Sequence, residues 1–132
     1  MEGGQTNEFR PLILVAEDDD SNFKLIKAII GKKCDIQWAK NGEEIVALFK
    51  EYGNEAKAIL MDIKMPVMKG LDATKIIRGE NKEIPIIMQT AYAFSSDKEN
   101  AMNAGASEVL VKPITLSILR NTLTKYFPEL VW

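Results

Sequence analysis

The stretch LVAEDDDSNF, residues 14 to 23, ends an apolar run in four consecutive carboxylates, Glu17, Asp18, Asp19 and Asp20. Like charges at the end of a core strand repel one another, and an enclosed carboxylate loses hydration that is expensive to replace. Three other strand-like runs end in residues that could do chemistry: AILM in Asp62, IIMQ in Thr90 and EVLV in Lys112. Each has an ordinary reading. An acid after a strand commonly caps the next helix, and Asp20 or Ser21 is expected to do so here, near the positive helix end. Asp62 and Thr90 could merely close strands, and Lys112 could be a solvated lysine.

The elements that must position these residues alternate regularly. Five runs rich in Ile, Val and Leu read as strands: PLILVAE (11 to 17), CDIQWA (34 to 39), KAILMD (57 to 62), IPIIMQT (84 to 90) and SEVLVK (107 to 112). The first, third and fourth are nearly continuous in apolar residues, as strands covered on both faces should be, and the mixed second suits a sheet edge. Between them lie segments of helical period. Phe23, Ile26 and Ile30 line one face of the first, and Ile45, Leu48, Phe49 and Tyr52 one face of the second. Asn41 and Thr115 are expected to cap the second and fifth helices, and Ser96 with Glu99 to form a capping box for the fourth. Gly31, Gly53, Gly79 and Gly105 fall where helices should end. This alternation predicts a doubly wound α/β fold with a parallel sheet.

In such a sheet every strand's C-terminal end opens on one edge, where ligands bind. Glu17, Asp18, Asp62, Thr90 and Lys112 are therefore expected to meet. Together they weaken the ordinary readings, because four separate strand ends supply complementary chemistry to one place. Three negative charges against one lysine leave the edge short of positive charge, which a hard divalent cation would correct. Mg²⁺ prefers oxygen ligands and commonly takes one or two carboxylates, waters and a phosphate oxygen. Asp62 is the candidate nucleophile, since a carboxylate can attack phosphorus and form an acyl phosphate. The cation, the Lys112 ammonium, and the Thr90 hydroxyl with a backbone N–H would then neutralise the three equatorial oxygens.

The bulk composition narrows the alternatives. A chain of 132 residues with 46% hydrophobic and 27% charged residues suits one globular domain. A net charge of -2 and a pI near 5.3 give no global attraction to nucleic acid or to an anionic membrane. The apolar runs are too short to span a bilayer. The single Cys34 excludes an internal disulfide and fits a reducing compartment. The absence of histidine excludes Ser-His-Asp and Cys-His catalysis and His-ligated zinc, and leaves no phosphohistidine on this chain. Residues 1–10 read as a polar linker or an expression remnant and 11–132 as the domain.

ILVAEDD, LMDIKMPVMKGLDA, QTAYA and LVKPI, in this order and spacing, resemble the receiver domain of two-component response regulators and hybrid histidine kinases, over about residues 12 to 127. The resemblance implies a five-stranded (βα)5 flavodoxin-like fold with strand order 2-1-3-4-5. It implies a cytoplasmic signalling domain rather than an enzyme, one that assists its own phosphorylation and dephosphorylation. Asp62 would be the phosphoacceptor, charged from a phosphohistidine on a kinase or phosphotransfer domain. Asp18 and Asp62 would ligate Mg²⁺, with Mn²⁺ as a substitute, joined by Glu17 through a water and by the backbone carbonyl of Lys64. Thr90 would move to the phosphoryl group, Lys112 would pair with it, and Lys112-Pro113 would be a cis peptide. Pro66 and Gly70 would shape the neighbouring loop, and the fourth and fifth helices would offer a pairing surface. The family's switch uses an aromatic residue three positions before the lysine, where this chain has Val109. The signal is then expected to travel through TAYAFSS and the fourth helix. Lys64 and Tyr92 flank the family's path for hydrolytic water and are expected to slow dephosphorylation.

Three rival readings remain at this point. A phosphatase of the haloacid dehalogenase type would use the D-x-D of Asp18 and Asp20, but the chain has no room for a cap domain. A flavin or nucleotide module would need a phosphate-cradling turn where the four acids stand. A receiver-like docking module that accepts no phosphate would not need all five chemical residues.

Overall fold

The computed structural model describes residues 9–91 and 96–132. Its strands are β1 (Leu12–Ala16), β2 (Asp35–Ala39), β3 (Ala56–Asp62), β4 (Ile86–Thr90) and β5 (Glu108–Val111). Its helices are α1 (Asp20–Ile30), α2 (Gly42–Tyr52), α3 (Gly70–Glu80), α4 (Asp97–Ala104) and α5 (Leu116–Tyr126). The strands form one parallel sheet in the order β2-β1-β3-β4-β5, as the resemblance implied.

The apolar runs account for this order. Ile13, Leu14, Val15 and Ala16 of β1, and Ala58 to Met61 of β3, are fully buried, so these strands occupy the centre. Alternate residues point to opposite faces. Leu14, Ile59, Met61, Ile86 and Met88 pack under α2 and α3 with Ile45, Phe49, Ala73 and Ile77. Ile13, Val15, Leu60 and Ile87 pack under α1 and α5 with Ile26, Ile30, Leu119 and Leu123. Burying side chains of this size contributes on the order of 1.5–3 kcal/mol each, which gives the central strands the firmest hold in the molecule.

Helix ends follow local chemistry with three departures from expectation. Asn41 caps α2 by accepting from the Glu44 N–H at 2.9 Å, and Thr115 caps α5 through the Ile118 N–H at 3.2 Å. The cap of α1 is Asp19, whose carboxylate accepts from the Ser21 N–H at 2.8 Å, rather than Asp20 or Ser21. The strand ends at Ala16, four residues before Asp20, and the backbone at Asp19 is extended (φ -96°, ψ 119°), so Asp20 is already the first residue inside the helix. Ser96 does not cap α4, because its own backbone is already helical (φ -68°, ψ -5°) and its side chain makes no capping bond. α3 runs through Gly79 to Glu80 and is capped by Asn81. Gly105 ends α4 with φ 115°, a left-handed conformation that glycine adopts without a Cβ clash. Among the described residues no helix is long and apolar enough to cross a membrane.

Candidate functional site

The expected convergence at the carboxyl edge is present. Parallel pairing sets Ala16 of β1 beside Met61, Asp62 of β3 beside Gln89, and Thr90 of β4 beside Val111. Asp62, buried with 6% of its surface exposed, borders a cleft of about 190 Å³ lined also by Lys64, Gln89, Thr90, Ala91 and Lys112. The Lys112 ammonium donates to Asp62 Oδ2 at 2.8 Å, and the Lys64 backbone N–H approaches Asp62 Oδ1 at 3.4 Å.

Glu17 is fully buried beside this pair. Its Oε2 accepts from the Asp19 N–H at 3.2 Å. Its Oε1 has no hydrogen bond among the described residues and lies 3.6 Å from Lys112 Nζ, an ion-pair distance only. Burial, and then the negative charge of Asp62, push the Glu17 carboxyl up to about 7, against the pull of Lys112. For Lys112, burial acts to lower the ammonium, but the hydrogen bond and charge of Asp62, with Glu17, hold it above the ordinary lysine range. One lysine thus serves two carboxylates. Asp18 is exposed, and one oxygen each from Glu17, Asp18 and Asp62 lie within 4.8 Å of one another.

The donor set fits a hard divalent cation on two counts. Two carboxylate oxygens from the segment after β1 and one from the end of β3 share a space that one ion and its waters can fill, and one buried carboxylate oxygen lacks a hydrogen-bond donor among the described residues.

The loop between β3 and α3 closes one side. Met68 N–H bonds the Pro66 carbonyl at 2.8 Å across Val67, whose φ of 70° is a left-handed backbone that a β-branched residue rarely adopts. Gly42 at the head of α2 donates to the Met68 carbonyl at 3.0 Å, and Gly70 donates to the Ile63 carbonyl at 3.0 Å. A Cβ on Gly70 would stand 2.1 Å from the Asp62 carbonyl oxygen, so only glycine admits this approach. Pro66 and Gly70 therefore shape the loop that borders Asp62.

Thr90 is buried, and its hydroxyl donates to Asp97 Oδ2 at 3.3 Å, across to the first residue of α4. Lys64 Nζ lies 3.9 Å from the same oxygen. Sequence reasoning missed Asp97, which reads there as an ordinary acid in a first helical turn. It also missed Trp38, whose indole N–H donates to the Glu17 carbonyl at 2.8 Å. Val109 is half-buried, pairs with Met88 and packs against the cluster under α3. The Lys112-Pro113 peptide is cis. Tyr92 lies outside the described residues. The D-x-D pair does not converge, because Asp20 begins α1 with its side chain 68% exposed, 3.8 Å from Lys40.

A five-stranded parallel sheet in the order 2-1-3-4-5, with an acidic cluster and a lysine at its carboxyl edge, defines an α/β domain of the receiver type. The sequence matches the response regulator receiver domain over residues 13–124, and the chain belongs to that family, the receiver domains of two-component systems. It is 38% identical over 129 residues to hybrid signal transduction histidine kinase I of Dictyostelium discoideum, covering 89% of this chain and 7% of that protein. It is 33% identical to the signal transduction histidine-protein kinase BarA of Escherichia coli, covering 88% of this chain and 13% of that protein. The chain thus spans a small part of these relatives. Among solved structures, a receiver domain of a Pseudomonas aeruginosa sensor histidine kinase, with magnesium coordinated in its active-site cleft, superposes with a TM-score of 0.82. It is 30% identical and covers 91% of this chain and 99% of its own. The Saccharomyces cerevisiae Ssk1 receiver, co-crystallised with the histidine phosphotransfer protein Ypd1, gives 0.82 at 29% identity, covering 92% and 93%.

Proposed function

We propose that this receiver takes a phosphoryl group from a phosphohistidine onto Asp62 and signals through Thr90 and α4. The observation that carries the reading is the Asp62 carboxylate at a cleft, bonded to Lys112 at 2.8 Å and clustered with Glu17 and Asp18. In the reaction, a carboxylate oxygen of Asp62 attacks phosphorus as the phosphorus–nitrogen bond of the donor breaks, and the donor imidazole takes up a proton. Asp18 and Asp62, with the Lys64 backbone carbonyl and Glu17 through a water, would hold Mg²⁺, for which Mn²⁺ substitutes. When bound, the ion supplies positive charge to the phosphoryl oxygens and lets the three acids approach one another.

The chain's own groups do the rest. Lys112 loses an Asp62 oxygen as that oxygen becomes the bridging oxygen of an acyl phosphate, and its ammonium is then available to a phosphoryl oxygen. Thr90 leaves Asp97 to donate to another phosphoryl oxygen, which releases the head of α4. Val109 has no ring to swing, so this Asp97 link takes the place of the family's aromatic step. The donor is a histidine kinase or a histidine phosphotransfer domain, as the Ssk1–Ypd1 complex supports by analogy, and the domain works in the cytoplasm. Exposed Met102 of α4 and Ile118 of α5 support pairing of copies through those helices.

Incubation with Mg²⁺ and acetyl phosphate, followed by intact mass, tests the reading. One phosphoryl gain is expected, lost in Asp62→Asn and in EDTA. No gain, or a gain that survives Asp62→Asn, sinks it.

A further inference from the structure

The Glu17-Asp18 peptide stands where the pairing between β1 and β2 stops. Glu17 N–H donates to the Ala39 carbonyl at 2.9 Å. Past Ala39 the β2 chain bends away: Lys40 N–H goes to Glu44 Oε1 at 2.8 Å, and Asn41 caps α2. The Glu17 carbonyl is taken instead by a side chain, the Trp38 indole N–H at 2.8 Å. An indole has this one donor and no acceptor, so the bond has a single direction. The ring itself is clamped. It stacks on Phe23 of α1 with centroids 4.0 Å apart and planes 1° from parallel, and the Lys40 ammonium lies 4.8 Å from its centroid.

The carbonyl so held belongs to the peptide that carries Asp18. Asp18 is exposed, so backbone rather than side-chain packing sets where its carboxylate stands. We propose that Trp38 is a positioning residue for the metal site, fixing the plane of the Glu17-Asp18 peptide through its indole N–H so that Asp18 faces Asp62. This rests on the reading of Glu17, Asp18 and Asp62 as a divalent-cation site. Phe23 and Lys40 act through Trp38 by holding its ring. The arrangement also makes Trp38 a reporter on the acidic loop.

The test titrates Mg²⁺ into the full chain and fits the logarithmic rise in Tm with ion concentration for the midpoint, the concentration that half-fills the site, which separates affinity from the starting stability. One hydrogen bond of ordinary strength predicts that Trp38→Phe, which keeps a ring on Phe23 but removes the N–H, raises the midpoint about two- to tenfold. Phe23→Leu, which keeps the N–H and removes its backing, is expected to shift it less. A Trp38→Phe midpoint equal to that of the wild type overturns the proposal, as does an equal shift in both variants, which would assign the effect to ring packing. In a Trp132→Phe background Trp38 is the sole remaining tryptophan of two. Its emission is expected to change with Mg²⁺ at the wild-type midpoint, and constant emission counts against the proposal even if Trp38→Phe fails to fold. A wild-type chain whose Tm ignores Mg²⁺ overturns the metal reading, and with it this inference.

Discussion

Glu17 has no exposed surface, shares one lysine with Asp62 and leaves Oε1 without a hydrogen bond among the described residues. That arrangement has a definite pH signature. The unfolded carboxyl gives up its proton near 4.5, whereas burial and then the Asp62 charge hold the folded one up to about 7. The folded state therefore binds this proton more tightly than the unfolded state. The corresponding stability is present below pH 4.5 and is lost as pH rises through about 7. In EDTA, Tm is expected to fall between pH 5 and 8, and Glu17→Gln is expected to flatten that fall and to melt above the wild type at pH 8. A Glu17→Gln profile parallel to the wild type would show that another group carries the dependence.

At the scale of elements, the two central strands hold the acids firmly, while α4 is held by little. It has eight residues, no side-chain cap from Ser96, and only Ala101 and Ala104 buried. The Asp97 carboxylate, bonded to the Thr90 hydroxyl and 3.9 Å from Lys64 Nζ, links the head of the helix to the site. Elements that move are drawn from the less stable parts of a fold. Asp97→Ala is therefore expected to speed hydrogen exchange of α4 amides by about tenfold, the value of one hydrogen bond, with β1 and β3 unchanged. Equal protection in wild type and variant would remove the Thr90–Asp97 link from the switch.

At the scale of the whole molecule, the edge opposite the site is tied together by two arginines on the end of α1. Arg10 donates to the Lys32, Gly31 and Cys34 carbonyls at 2.6, 3.3 and 3.2 Å and to Asp35 at 3.2 Å. Arg120 of α5 donates twice to the Ile29 carbonyl and lies 5.1 Å from the Trp132 ring. Cations suit the negative end of a helix. Phe9 packs on Phe127 nearby, with centroids 6.0 Å apart, so the chain leading into β1 and the chain leaving α5 meet at this edge. Arg10→Ala is expected to cost on the order of 1–2 kcal/mol, given its partial exposure, and to lower Tm by several degrees while leaving the Mg²⁺ midpoint unchanged. A shifted midpoint would show that the two edges are coupled.

The sequence by itself determined the alternation of strands and helices, because continuous apolar runs and helical spacing are local patterns that each element must satisfy alone. It also determined that Glu17, Asp18, Asp62, Thr90 and Lys112 reach one edge, since parallel strands leave no other place for their C-terminal ends. The strand order came from resemblance, not from periodicity. Only the tertiary structure decided that Asp19 caps α1, that Thr90 turns to Asp97, and that Trp38 takes the Glu17 carbonyl. These are contacts in which one donor chooses among several nearby acceptors. Spacing along the chain does not encode that choice; it is made when α1, β2 and α4 dock against the sheet.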